Sequence, residues 1–338
     1  MSDSRTKRLI LTCAAGLSVL LVVIIAGKSA FGKRMDKETE SCPVPVNLNE
    51  TLTNEMSDTS CLAGCDKIVK DYLTYWGIHG ASLSVMRNDS LLFAKGYGEA
   101  DTDKKMGPGN ILRMASVSKL VTAVGIMVLQ ERGLLSIKDH VFGPDGILND
   151  SAYVAAIKDT LYNRITVEDL LRHKGGFSKR GGDPMFSTRW IMMQNGWKEV
   201  PTQEQLMELQ LKRRVRFIPG TAQEYSNFGY LALSMVIEKV SGMDYETFMQ
   251  ENVLRPIGCV DFHIAGNYYK HKLPNETRYY VQHDDEPAEE FNNSGRKVIR
   301  CYGGNNVTGL SGAGAWAAST PELALLVASI DGRPEVPD

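Results

Sequence analysis

A two-stranded hairpin followed at once by a long apolar helix is the feature that most limits how this chain can fold. In "ASLSVMRNDSLLFAKGYG", Ala81, Leu83 and Val85 alternate with polar residues, Asn88-Asp89 supplies the turn, and Leu91, Phe93 and Lys95 resume the period of two. From Val117 to Glu131 the apolar residues Leu120, Val121, Val124, Met127 and Val128 recur at helical spacing, and Gly133 supplies a stop. Two strands alone are only marginally stable, so they must pack on something else. Further helices follow: "ITVEDLLRHKGGF", with Thr166 as N-cap, Asp169 three residues on and Gly175-Gly176 as terminator, then "YLALSMVIEKVSG" and "PELALLVASIDG". A short β segment leading into a mainly helical middle predicts an α/β (α+β) domain.

The segments upstream divide the chain. Residues 1–8 form a short charged tail, and Leu9 to Gly27 runs nineteen residues without a charge, close to the ~20 that cross a bilayer as a helix. The run is longer than the ~7–15 apolar residues of a cleaved signal and no small-x-small site follows it, so a signal anchor is expected, with secretion after cleavage as the alternative. Residues 28–60 are polar, contain "CPVPVNLNE" and read as a stalk, and the globular domain is expected over 61–338, starting at "CDKIVKDYLTYW". Basic residues on the two sides of the anchor nearly tie and give no orientation. Six N-x-S/T sequons, at Asn49, Asn88, Asn149, Asn275, Asn292 and Asn306, break the tie and place the domain in the lumen or outside as a glycoprotein.

Charge and cysteine content exclude several function classes. A net charge of -2 offers no general attraction for nucleic acid, and the basic run Lys212 to Arg216 reads as a solvated face. Cys42, Cys61, Cys65, Cys259 and Cys301 lie outside the anchor, compatible with disulfides but odd in number. The Cys61-x3-Cys65 pair has no second pair or histidine cluster at metal spacing, so neither metal nor cofactor is expected.

S-x-x-K occurs three times, at Ser4 to Lys7, Ser116 to Lys119 and Ser294 to Lys297, so the pattern by itself decides nothing. Only Ser116 opens a long apolar helix. There Lys119 would lie one turn away on the same face, within reach of the hydroxyl, and the helix N-terminus would favour an alkoxide or an oxyanion. A lysine acts as a base only where burial or a neighbouring cation lowers its pKa. The spacing equally fits a capping serine beside a surface lysine. Tyr225-Ser226-Asn227, the only Y-x-N among thirteen tyrosines, follows the Pro219-Gly220 turn. Its phenol could relay a proton with Lys119 and its amide could donate to a substrate carbonyl; it also fits a capping Asn beside a core tyrosine.

Together with "GASLSVMRNDSLLFAKGYGEAD", "ITVEDLLRHKGGF", "FIPGTAQEYSNFGYLALSMVIEKVSG" and "GAWAASTPELALLVASIDG", these segments resemble the serine β-lactamase and penicillin-binding-protein superfamily, in its class C β-lactamase-like branch, from about Trp76 to Ile330. The resemblance implies a β-lactamase/transpeptidase-like fold, Ser116 as acylated nucleophile, Lys119 as its partner, Tyr225 as second proton-transfer residue and Asn227 as a substrate-orienting amide. It also implies half of an oxyanion hole from the Ser116 N–H and a structural role for His173. The implied activity is that of a serine hydrolase on small-molecule or peptide amide or ester substrates, without cofactor, at a membrane held through residues 9–27. A third motif of the superfamily, K-T-G or H-x-G on a late strand, is not found. The expectation is therefore either a piece or splice form of a longer protein, with the hairpin's edges open and one apolar face uncovered, or a catalytically incomplete scaffold module at the membrane. Nothing in the sequence specifies the oligomeric state.

Overall fold

The computed structural model describes residues 47–58, 63–177, 182–281 and 285–330. The anchor, the tail, most of the stalk, Cys42, Cys61 and the Ser4 to Lys7 motif lie outside them. Among the described residues no helix is long and apolar enough to cross a membrane.

The helices, in chain order, are α1 (Leu48–Thr51), α2 (Ala63–Trp76), α3 (Ser118–Glu131), α4 (Ser151–Ala156), α5 (Val167–Leu171), α6 (Thr188–Asn195), α7 (Gln203–Leu211), α8 (Asn227–Ser241), α9 (Tyr245–Met249) and α10 (Thr320–Ser329). The longer strands, β1 (Gly80–Arg87) and β2 (Ser90–Asp101), form the expected hairpin, with β3 (Lys104–Lys105) on the far side of β2. Asn88 and Asp89 both take positive φ, 49° and 59°, the two-residue turn that matches the twist of its strands. A second antiparallel sheet places β8 (Trp316–Ala318) between β4 (Leu112–Arg113) and β5 (His263–Ile264). A small ribbon pairs β6 (Ala288–Glu289) with β7 (Lys297–Val298).

Both faces of the hairpin are covered, which corrects the expectation of a bare apolar face. On one face Ala81 and Leu83 of β1, with Phe93 and Tyr97 of β2, pack against Val69 and Leu73 of α2. On the other, α10 lies against β1, and Thr320 Oγ1 sits 2.7 Å from Ser82 Oγ and 2.8 Å from Ser84 Oγ. The outer edge of β2 is closed by the helical turn Asn54–Ser57: Ser57 Oγ bonds both Ala94 N and Ala94 O at 2.9 Å, and Asn54 Oδ1 accepts from Gly96 N at 2.8 Å. Side chains thus stand in for a neighbouring strand and spare the buried backbone its unpaired groups. Along its other edge β1 has no strand partner among the described residues.

The main core belongs to the helices. Every residue from Asn227 to Ile237 of α8 is buried, the mark of a helix enclosed on all sides rather than lying on a surface. Ser226 caps α8 by accepting from Gly229 N at 3.0 Å, so Asn227 is not the cap. The predicted capping box on α5 is present, with Thr166 and Asp169 bonding each other's backbone N–H. That helix ends before the glycines, because His173 itself turns left-handed at φ 57°.

Two of the sequons are built into the fold. Asn49 is buried, and its Nδ2 donates to Asp261 at 3.1 Å and to Glu322 at 3.0 Å. Asn275 Nδ2 donates to Gly109 O at 2.7 Å and Asp261 at 3.3 Å. A glycan on Asn49 would displace its bonds to Asp261 and to Glu322 of α10, and one on Asn275 would displace its bond to the loop before β4. Asn88 and Asn149 are exposed, and Asn292 and Asn306 are partly exposed. Among the described residues Cys65, Cys259 and Cys301 form no disulfide.

Candidate active site

Strand β4 delivers the chain to Ser116. Met114 N donates to Trp316 O at 2.8 Å and Trp316 N donates to Ser118 Oγ at 3.1 Å, so the turn before α3 is stitched to the edge of β8. Thr122 Oγ1 adds a bond to Gly312 O at 2.8 Å. Trp316 is fully buried, with its indole N–H donated to Tyr245 Oη at 2.9 Å, which satisfies the polar handle that burial would otherwise strand.

Ser116 lies within a single 3-10 turn, Ala115–Val117, one turn before α3 proper. No side chain caps α3, so its hydroxyl is left for other work. Ser116 Oγ is 2.5 Å from Tyr225 Oη, and Lys119 Nζ donates to Ser116 Oγ at 3.2 Å. The three groups named from sequence therefore meet at one hydroxyl, with Tyr225 arriving from 109 residues away. The ammonium of Lys119 also donates to Asn227 Oδ1 at 2.8 Å and to Ala313 O at 2.5 Å. Its nitrogen sits 4.7 Å from the centroid of the Tyr225 ring and 5.6 Å from that of Tyr230.

Electrostatics give this lysine the behaviour a base requires. Lys119 is 6% exposed, and its contacts are neutral acceptors and aromatic rings. Burial pushes its pKa down to about 8, against an upward pull from the Asp183 carboxylate. Near neutral pH a usable fraction is an uncharged amine. Burial raises the Tyr225 phenol above its ordinary value, with the bond to Ser116 opposing, so Tyr225 keeps its proton.

Asn227 comes to the same lysine. It is buried, and its amide points inward as a bridge, Oδ1 accepting from Lys119 and Nδ2 donating to Asp183 Oδ2 at 2.7 Å. Asp183 was not legible from sequence. Its signal, Asp before Pro, announces only the cap of the 3-10 turn Pro184–Phe186, which it is, with Oδ1 accepting from Met185 N at 3.0 Å. His173 has the structural role expected of it: its Nδ1 accepts from Ser226 N at 3.2 Å and its ring packs on Tyr225 at 4.6 Å between centroids.

Backbone strain is concentrated here. Of the seven non-glycine residues with positive φ among the described residues, Asn88, Asp89, Asp103 and Asn293 lie in turns of the hairpin and ribbon type, where short polar residues tolerate it. The other three surround the site: Ala115 (47°) next to Ser116, His173 (57°) under Tyr225, and Ser311 (42°) two residues from the carbonyl that holds Lys119. Strained residues persist where the surrounding packing over-determines them.

The remaining S-x-x-K copy in the described residues makes no such site. Ser294 Oγ donates to Glu290, and Lys297 is paired with Glu289 at 2.6 Å. Among the described residues no three His, Cys, Asp or Glu side chains come together as a metal ion would need.

The chain is similar to several known proteins. The chain is 25% identical over 188 residues to "Penicillin-binding protein 4*" of Bacillus subtilis, covering 55% of this chain and 37% of that protein. It is 23% identical over 234 residues to a "Putative D-alanyl-D-alanine carboxypeptidase" of Escherichia coli O157:H7, covering 65% and 49%. It thus spans less than half the length of these relatives. In fold it resembles the D-amino acid amidase of Ochrobactrum anthropi, with a TM-score of 0.59, 19% identity and coverage of 79% of this chain and 69% of that one. The family model described as "Beta-lactamase" matches residues 65–338, a stretch that contains Ser116, Lys119, Tyr225 and both sheets, and the chain belongs to that family.

Proposed function

We propose that this protein is a serine hydrolase that cleaves amide or ester bonds through an acyl-enzyme on Ser116. The observation that carries the reading is the convergence of Lys119 Nζ and Tyr225 Oη on Ser116 Oγ around an ammonium whose contacts are all neutral. In the acylation step Ser116 Oγ bonds to the substrate carbonyl carbon while its proton passes to the neutral amine of Lys119. Collapse of the tetrahedral species breaks the bond to the leaving amine or alkoxide, which takes a proton from the Lys119–Tyr225 pair. Water then attacks the acyl-enzyme with the same groups working in reverse. General acid–base help of this kind is worth ~10²–10⁴-fold, and the N–H of Ser116 is the first donor for the oxyanion.

The names of the relatives, a penicillin-binding protein and a carboxypeptidase, favour a small peptide or amide as substrate. The apolar run Leu9 to Gly27 and the exposed sequons Asn88 and Asn149 support a membrane-anchored protein whose domain faces the lumen or the outside. A shift in mobility on treatment with an N-glycosidase checks that placement. The enzymatic reading is tested by exposing the full-length protein to a fluorophosphonate. Label is expected on Ser116 and not on a Ser116→Ala variant; a full-length protein that takes no label at any pH overturns it. A scaffold role without catalysis has no observation in its favour, since a non-catalytic pocket has no need of a lysine buried without a counter-charge in contact.

A further inference from the structure

The buried pair Asp183–Asn227 joins a carboxylate to the lysine of the site without letting the two touch. Lys119 makes three bonds, to Ser116 Oγ, Asn227 Oδ1 and Ala313 O, and none of these acceptors carries a charge. The carboxylate that acts on it stands one side chain further away, on the far side of the Asn227 amide. Asp183 is fixed there at both oxygens. Oδ1 accepts from Met185 N, Oδ2 accepts from Asn227 Nδ2, and its backbone carbonyl accepts from Ser187 Oγ at 2.8 Å.

Two physical consequences follow from this arrangement. An ionised carboxylate can only accept, so it forces the NH₂ end of Asn227 toward itself and the carbonyl end toward Lys119. An amide held the other way would present N–H groups to an ammonium. The charge of Asp183 also favours the protonated lysine, opposing the desolvation that favours the neutral one. A direct ion pair would fix the lysine in its charged form, and no carboxylate at all would let its pKa fall further. A carboxylate held off by one amide lies between these limits.

We infer that Asp183 is a positioning residue that sets the protonation of Lys119 through Asn227, fixing both the orientation of the bridging amide and the pH at which Ser116 becomes reactive. The inference rests on the serine-hydrolase reading given above. Among the described residues the other titratable groups facing Lys119 are the phenols of Tyr225 and Tyr230, with the His173 ring packed at a tilt behind them. Burial raises both phenols, so they stay neutral over the range in which Lys119 titrates.

The experiment is the pH dependence of fluorophosphonate labelling of the full-length protein, wild type against Asp183→Asn and Asp183→Ser. Labelling forms the Ser116 Oγ–phosphorus bond, breaks phosphorus–fluorine with release of fluoride, and moves the hydroxyl proton to Lys119, so its rate follows the neutral amine. Both variants keep a side chain able to cap the Pro184–Phe186 turn while removing the charge. Wild type is expected to gain reactivity as pH rises through about 8. In both variants the rise moves down by ~1 pH unit, giving up to about tenfold faster labelling than wild type near pH 6. Asp183→Glu restores the wild-type profile if it is the charge that matters. Coincident profiles for wild type and the folded variants overturn the inference while leaving the hydrolase reading intact; absence of wild-type label at every pH overturns both. If one neutral variant does not fold, as judged by circular dichroism, the other decides.

Discussion

Two lysines of this domain are almost equally hidden and have opposite chemistry. Lys95, in the hairpin, is 8% exposed, and Lys119, in the helical core, is 6% exposed. Lys95 bonds to the carboxylates of Asp58 and, at 2.8 Å, Asp66, whose other oxygen accepts from Tyr97 Oη at 2.8 Å. Those two carboxylates raise its pKa above the ordinary value. Lys119 is surrounded by a hydroxyl, an amide oxygen and a backbone carbonyl, and its pKa falls to about 8. A small exposed area therefore does not by itself make a base. What makes one is burial with hydrogen bonds but without a counter-charge in contact, because hydrogen bonds satisfy the donors while leaving the desolvation of the charge uncompensated.

The largest expected effect separates the two lysines by function. Lys119→Met should lower labelling of Ser116 by ~10²–10⁴-fold, and its stability should change by no more than ~1 kcal/mol, because the removed ammonium was held without an ion pair. Equal labelling in the two proteins, measured as a second-order rate at pH 8.5, would show that Lys119 is not the base. Lys95→Met should reverse the pattern: near-normal labelling, but a loss of ~1–3 kcal/mol in urea unfolding, since Asp66 is left beside the hairpin without its cation.

Tyr225→Phe comes next, with a fall in labelling of about 10–10²-fold while the lysine bonds to Asn227 and Ala313 remain. A rate equal to that of wild type would remove the phenol from the proton path.

The pH behaviour of the two regions should also diverge. Hydrogen bonds from Lys95 and then Tyr97 hold the Asp66 carboxyl below its ordinary pKa. A depressed folded pKa contributes stability that is present above the unfolded value and lost as pH falls through the folded one. The lysine side of the pair, with its raised pKa, contributes in full below the ordinary lysine value and loses that contribution at higher pH. The hairpin should hence be steady from pH 5 to 9, while reactivity of Ser116 changes most within the upper part of that window. Unfolding midpoints of the wild type and Asp66→Asn that fall in parallel below pH 4 would refute the assignment.

The smallest effect concerns strain. Ala115 holds φ at 47° next to the nucleophile, a conformation that costs an L-residue about 1–2 kcal/mol. Ala115→Gly should raise the melting temperature slightly and leave labelling within a factor of a few; a large loss of labelling would mean that the strain itself aims Ser116.

How much of this was legible depends on how local the information is. The hairpin follows from alternation and the Asn88-Asp89 turn, and the capping box from Thr166 and Asp169, because each requires only neighbours in the chain. Ser116 and Lys119 were readable as a pair for the same reason, three residues being one helical turn. Pattern matching also offered six sequons as equals, although Asn49 and Asn275 bond residues far away in sequence.

The sequence by itself determined several local pieces: the helices after Ser116, Thr166 and Asn227, where two strands turn, and which serine stands just before an apolar helix. The tertiary structure decided the chemistry. Only packing brings Tyr225 and Asn227 to a lysine more than a hundred residues earlier, and only packing sets Asp183 behind an amide while it sets Asp58 and Asp66 directly on Lys95. The physical reason is that a pKa depends on what surrounds a charge in space. Two lysines with similarly little exposed surface differ in their depth and in the charges that folding places within reach.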